Sequence, residues 1–318
     1  MQYASNAGRF PVAVGPADSS ERRRGGVAVR NGRRCSRDGR DHDPVEDRPP
    51  MTRELSLTER RDAIDDRLEA ALETARGDFL LPARTTVVDR NDRWYGQLVA
   101  LVANSAADAP DSPSILRAAT AMELFRGYSL LRERLLVRLD TPGTEAVAWE
   151  SNAALLAADY LQTAAYSTLG SLTDGRTCIE RLATVSERLV ETLADADFAS
   201  QPTPAAYRSF VDGTAGALGA GAAGIGATLA SVDEQQRGRF ETVGRGGSIE
   251  RRIRSDFATD TGPSRSGHRV RDDRQLRRYA RAQRAAATRA LRTLSSTADV
   301  DPLREFLGRT VPNDPELR

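Results

Sequence analysis

The chain has 318 residues, a formal net charge of +1, and 39% hydrophobic, 29% charged and 5% aromatic residues. So few aromatics suit a helical protein better than a β-sandwich, whose strands draw on aromatic and β-branched side chains. All 46 basic side chains are arginine, and without a lysine amine the chain is not an ordinary Walker NTPase, a Schiff-base enzyme or a typical protein kinase. Two cysteines (Cys35, Cys178) and two histidines (His42, His268) exclude a Cys/His zinc site and leave little for a nucleophilic triad. No apolar run reaches the roughly 18 residues of a membrane-spanning helix. At most one disulfide can form, so a cytoplasmic setting is the default. The balanced charge gives no overall field for nucleic acid, and no nucleic-acid partner is expected.

Residues 1–50 stand apart. They hold no Leu or Ile, ten Arg against seven Asp and Glu, six Gly and five Pro. Such a segment buries too little apolar surface to offset its ordering entropy, so no fixed fold is expected. It also lacks the apolar stretch of a secretory signal. Met51-Thr52-Arg53-Glu54 reads as a natural start, which makes residues 1–50 an extension or a misassigned start. The alternative is a basic tail for an acidic partner or a membrane surface. Residues 51–318 alone carry 36 arginines and 38 acidic residues, a net of −2.

From Leu55 onward the pattern is helical. Ser56 is placed to cap a helix running to Arg76, with Ile64, Leu68 and Leu72 on one face. A second helix begins around Asp92 and runs to Ala107. Ser112 caps a third, with Pro113 in its first turn, reaching Arg138. The run from Asp140 to Gly143 breaks it. Residues 146–171 have apolar positions on nearly every side, as a buried helix does. Further helices fit 176–196, 204–231, 234–258, 272–295 and 301–309, with a polar loop at 261–269. No segment shows sustained two-residue alternation. The reading is one all-α domain, residues 51–318, of about ten helices.

The stretch 213–227, GTAGALGAGAAGIGA, contains six glycines. Each costs a helix about 1 kcal/mol relative to alanine. Small residues at this spacing allow close helix–helix approach, or a ligand chain lying against backbone.

Six pieces in this order resemble the trans-polyprenyl diphosphate synthases of isoprenoid biosynthesis. Residues 119–134, ATAMELFRGYSLLRER, resemble the helix leading into that family's first D-D-x-x-D motif. Residues 153–162, AALLAADYLQ, are similar to its A-I-L-A-G-D-x-L segment. Gly213-Thr214 stands where the family has K-T. Residues 240–248, FETVGRGGS, resemble Y-G-x-x-L-G-x-A-F-Q, and Arg252 to Asp256 fall where Q-I-x-D-D opens the second aspartate-rich motif. The helix from Tyr279 to Leu294 is similar to the closing helix. The resemblance spans 55–312.

It implies an all-α isoprenoid-synthase bundle, usually dimeric, in which two aspartate clusters hold Mg2+ on an allylic diphosphate. A basic site for isopentenyl diphosphate completes it. This sequence departs at each point. The first motif aligns with residues 133–137, ERLLV, which leaves only Glu133, beside Arg134. The second aligns with residues 255–259, SDFAT, and Asp260 follows; Asp256 and Asp260 are four apart and make at most a weak metal site. The basic G-G-K-R run becomes residues 88–95, VDRNDRWY. Arg90 or Arg93 is the candidate phosphate binder there, although each stands near an aspartate that could pair with it. Tyr128, Ser129, Asp159 and Thr214 are the candidate pocket lining.

The resemblance therefore implies a prenyltransferase-like pseudoenzyme: fold kept, site released. Its expected role is homodimerisation, or heterodimerisation with an active prenyl synthase as a partner or regulatory subunit. The rival readings are an altered prenyltransferase using Mg2+ through Glu133, Asp256 and Asp260, and a module binding a prenyl diphosphate or prenyl lipid. No cofactor is expected unless the chain is active. The helices carrying Glu133 and Asp256 should present both carboxylates to one cavity. Glu123 reads as a structural carboxylate, Cys178 as packing, His268 as solvated, and the arginines from Arg265 to Arg292 as a charged outer face.

Overall fold

The computed structural model describes residues 54–309 except 74, 76, 78–79, 89–91, 107–108, 140–146, 198–201 and 259–272. The helices are α1 (Leu57–Leu72), α2 (Leu81–Val88), α3 (Trp94–Asn104), α4 (Pro113–Leu139), α5 (Val147–Gly170) and α6 (Gly175–Ala194). They continue with α7 (Pro204–Val211), a π-helical turn (Asp212–Gly216), α8 (Ala217–Leu229), α9 (Glu234–Ala258), α10 (Asp273–Leu294) and α11 (Asp301–Arg309). No strand occurs among the described residues.

Local chemistry sets the ends of these helices. The Ser56 hydroxyl accepts from Glu59 N at 3.3 Å and the Glu59 carboxylate accepts from Ser56 N at 2.9 Å, a reciprocal cap on α1. Ile64, Leu68 and Leu72, one turn apart, are its buried stripe. Arg60 is buried in the same helix. It donates from Nε to Asp111 Oδ1 at 2.7 Å and from Nη2 to Asp111 Oδ2 at 3.0 Å, which ties α1 to the turn before α4. Thr203 caps α7, with Pro204 in its first turn.

The glycine-rich segment becomes α8, which touches α3, α4, α6 and α9 and is buried on nearly all sides. Its small residues serve packing. A Cβ at Gly219 would overlap the carbonyl oxygen of Gly244 on α9, and a Cβ at Gly244 would overlap that of Gly219. The backbones of α8 and α9 therefore meet directly, and the propensity lost to glycine is offset by that contact.

The structure differs from the sequence reading in three places. The first helix stops at Leu72, four residues short of Arg76. Residues 81–88 form α2, which the sequence does not announce: Thr85, Thr86, Val87 and Val88 are consecutive β-branched residues of poor helix propensity. Ala83, Thr86 and Val87 bury against neighbouring helices, and tertiary packing overrides propensity. The helix expected over 204–231 is interrupted by the π turn at 212–216. The break at Asp140 to Gly143, the loop at 261–269 with His268, and residues 1–50 lie outside the described residues.

Candidate functional site

Helix periodicity brings Arg126, Ser129, Leu130 and Glu133 to one face of α4, since they recur at three and four residues. The same spacing on α9 groups Ser248, Arg251, Arg252, Ser255 and Asp256. These two faces, with Tyr95 of α3, Arg134, Thr214, Ala215 and Leu218, line one cavity of about 90 Å³. Glu133 and Asp256 thus border a common space.

Arg252 fills the interval between them. Its Nη2 donates to Glu133 Oε1 at 2.7 Å, its Nη1 to Glu133 Oε2 at 3.4 Å, and its Nε to Asp256 Oδ2 at 2.8 Å. The Tyr207 hydroxyl donates to the same Asp256 oxygen at 2.6 Å. The Phe210 ring centroid lies 5.9 Å from the guanidinium carbon. Burial alone would depress the Arg252 pKa, but Glu133 and Asp256 outweigh it and hold the guanidinium charged, well above its ordinary range. Burial, reinforced by the charge of Asp256, pushes the Tyr207 phenol far up, so it stays a proton donor.

A second layer repeats the pattern. Asp92 accepts from Arg126 at 3.3 Å and pairs with Arg251, whose guanidinium carbon stands 4.9 Å from the Trp94 ring centroid. Trp94 Nε1 donates to Ser248 Oγ at 3.0 Å. Glu123 is buried and accepts from Gly96 N at 2.9 Å and Arg126 at 3.2 Å, a structural carboxylate. Of the arginines lining the cavity, Arg126, Arg251 and Arg252 are each bound to a carboxylate.

Among the described residues the donor set does not fit magnesium. Mg2+ demands near-octahedral oxygen coordination. Both oxygens of Glu133 and one of Asp256 already accept from Arg252, and no group of three or more His, Cys, Asp or Glu that could hold a metal occurs among the described residues. Asp260, the other candidate ligand, lies outside the described residues, as does Arg90.

The remaining candidates divide. Ser129 and Thr214 line the cavity; the Thr214 hydroxyl donates to Phe210 O at 2.7 Å. Tyr128 does not line it. Five residues separate it from Glu133, about 140° round the helix, so it turns into the core, its ring centroid 5.2 Å from that of Phe125. Asp159 does not line it either: it is exposed on α5 and accepts from Arg132 at 2.5 Å. Arg93 is buried, donating to Val87 O at 2.6 Å and pairing with Asp65 of α1, so its guanidinium braces α1 and α2. Cys178 is buried and burial pushes its thiol up to about 11, a packing residue with no nucleophilic character.

A larger hollow, about 640 Å³, opens on the other side of Tyr207 between the end of α6 and α7. Glu191, Asp195 and Asp197 border it with a single arginine, Arg188, so it offers no cationic set for a diphosphate.

The residue that sequence reasoning missed is Arg252. Its spacing of four from Asp256 on one helix was the available signal. Its bond to Glu133, 119 residues away in sequence, had none.

No family model and no curated protein matches the sequence. Solved structures do resemble this one. The polyprenyl synthetase of Streptomyces coelicolor A3(2) is 17% identical with a TM-score of 0.66, over 80% of this chain and 98% of that one. A decaprenyl diphosphate synthase from Rhodobacter capsulatus is 17% identical with a TM-score of 0.58, over 80% and 94%. A geranylgeranyl pyrophosphate synthetase from Pyrococcus horikoshii is 20% identical with a TM-score of 0.55, over 80% and 88%. At these identities the likeness is one of architecture alone. The chain has the all-α fold of the polyprenyl diphosphate synthases.

Proposed function

We propose that this chain is a degenerate polyprenyl synthetase that lacks synthase activity and acts as a partner or regulatory subunit of an active prenyl diphosphate synthase. Arg252 carries the reading. A prenyl transfer that departs through a diphosphate needs cations fixed where the negative charge develops. Here the cation between the two motif positions is built into the chain and is neutralised by Glu133 and Asp256, which leaves Arg134, exposed at the rim, as the one cavity arginine without a carboxylate partner among the described residues. The cavity, about 90 Å³, is well below the roughly 300–1,000 Å³ of small-molecule sites. Arg126 and Arg251 beside it are held by Asp92 and Glu123. Losing one well-placed stabilising group costs about 100- to 1,000-fold in rate, and several are gone.

In this reading the partner docks on the antiparallel pair α5 and α6. Gln162 Nε2 donates to Ser186 Oγ at 3.3 Å, which sets their register and brings Leu155, Leu156 and Val190 to the same end. These three are exposed large apolar side chains. Exposed apolar groups gathered on one face mark interaction sites more often than isolated ones.

The test has two arms. Purified protein with Mg2+, an allylic diphosphate and radiolabelled isopentenyl diphosphate should give no product. The same chain, captured from its native cell, should bring down an active prenyl synthase, and the double variant Leu156→Glu/Val190→Glu should lose it. Product from the purified protein at the rate of a working synthase would replace this reading with the altered enzyme. Capture of no synthase would remove the subunit role.

A further inference from the structure

Helix α10 is amphipathic in an unusual way. Leu276, Ala280, Ala287, Leu291 and Leu294 are buried, and the helix lies along α9. Arg274, Arg278, Arg281, Arg289 and Arg292 are exposed. At 3.6 residues per turn these five fall within an arc of about 80°, opposite the apolar stripe, and extend over about 27 Å. From Arg274 to Leu294 the sequence contains no Asp or Glu. Among the described residues none of the five has an ion pair, whereas Arg284, at the edge of the row, donates to Glu250 at 3.1 Å. A hollow of about 450 Å³ runs between Arg281, Arg284, Arg289 and Arg292, floored by the small side chains Ala285 and Thr288.

This face is not what solubility requires. A surface serving water alone mixes both signs. Like charges three and four residues apart destabilise a helix, as Arg274, Arg278 and Arg281 must. A single-sign row, held flat by a fully packed opposite face, is complementary to a plane of negative charge.

We propose that the outer face of α10 docks the protein, reversibly, on an anionic lipid surface. The bond is electrostatic. The exposed positions between the arginines are Gln275, Ala282, Ala285, Thr288 and Thr293, which offer no apolar wedge to enter the bilayer and no aromatic ring to stack on a base. The row presents guanidiniums to phosphate headgroups, and the hollow between Arg281 and Arg292 admits them without displacing a large side chain. The inference rests on α10 alone and holds whether or not the chain assists a synthase.

The test is co-sedimentation of the full chain with vesicles of phosphatidylcholine containing about a third phosphatidylglycerol, at low salt. Binding should occur, should be absent from pure phosphatidylcholine, and should be lost at high salt. The triple variant Arg281→Gln/Arg289→Gln/Arg292→Gln should weaken it about 100-fold, since each arginine near an anionic surface contributes about fivefold. Arg176→Gln, which alters an exposed but paired arginine on α6, should change nothing. Undiminished binding by the triple variant would place the contact elsewhere and overturn the proposal. So would tighter binding to duplex DNA than to the vesicles, or capture of an acidic protein that the vesicles fail to displace.

Discussion

The arginines of α9 and those of α10 are put to opposite uses. On α9, Arg245 pairs with Asp212, Arg251 with Asp92, Arg252 with Glu133 and Asp256, and Arg254 with Glu250. On the outer face of α10, Arg274, Arg278, Arg281, Arg289 and Arg292 stand in water without such partners among the described residues, and only Arg284 at the edge reaches Glu250. The two helices are neighbours, and the contrast follows from where their faces point. A guanidinium turned inward must be matched, because an unmatched buried charge is prohibitive. One turned outward costs little and remains available. Net charge, +1 for the whole chain, conceals this segregation.

The sharpest way to break the contrast is to remove the inward charge. Arg252→Ala leaves Glu133, buried, and Asp256, nearly so, without their counter-ion. Stability should fall by about 3–5 kcal/mol, read from a urea melt. A loss below about 1 kcal/mol would show that the ion pair is as solvated as a surface one. A variant that fills the space without charge, Arg252→Met together with Glu133→Gln and Asp256→Asn, should recover much of the loss, because every partner of the pair is then neutral.

The scaffold around the pair comes next. Gly244→Ala places a methyl group on the carbonyl oxygen of Gly219, so α8 and α9 must separate. Destabilisation of about 1–3 kcal/mol is expected, with a widened or distorted Arg252 cavity. Gly238→Ala on the same helix is the control: a Cβ there meets nothing within 4 Å, and the change should be neutral or slightly stabilising. Equal losses in the two variants would show that helix propensity rather than the α8–α9 contact is being read.

Much of this was legible in the sequence, and the rest failed for identifiable reasons. Ser56 and Glu59, three residues apart before an apolar run, announce the start of α1 because capping is local. The six glycines of residues 213–226 announce close packing, though not which helix they meet. α2 was invisible because its Thr-Thr-Val-Val run argues against a helix and only burial decides otherwise. At the site, the motif positions point to Glu133 and Asp256, and the cation next to them in sequence is Arg134, which is exposed at the edge of the cavity. The cation that meets them is Arg252, and no local pattern links positions 133 and 252. Arg93 teaches the same lesson. Its neighbour Asp92 was the available partner, yet Arg93 reaches Asp65, and Asp92 serves Arg126 and Arg251.

Titration offers a gentler probe of the interior. The Cys178 thiol is raised from 9.0 to about 11, chiefly by burial. Folding therefore favours its neutral form. The associated stability is fully present below pH 9 and is lost as pH rises towards 11, because the unfolded chain ionises first. A stability profile over that window should slope downward in the parent protein and less steeply in Cys178→Ala, compared slope with slope so that the variant's own packing loss cancels. In a Cys35→Ser background the native protein should also resist a disulfide-exchange reagent at pH 8 and react once unfolded. Rapid reaction of the native state would place the thiol in water.

The smallest expected effect is the most specific to the outer face. Arg278 has Arg274 one turn before it and Arg281 one turn after, all exposed. Replacing it with Gln removes two like-charge contacts and breaks no ion pair among the described residues. Each such contact costs a helix about 0.2–0.5 kcal/mol at low ionic strength. Arg278→Gln should therefore stabilise the protein slightly, by less than about 1 kcal/mol in total. Glutamine and arginine have nearly equal helix propensity, so the gain is not a propensity effect. Salt decides the cause. Screening shortens the reach of exposed charges to about 3 Å at 1 M, so the gain should disappear there. A destabilised variant, or a gain that persists in high salt, would mean that Arg278 makes a favourable contact in the parent and that the row is less free than its geometry indicates.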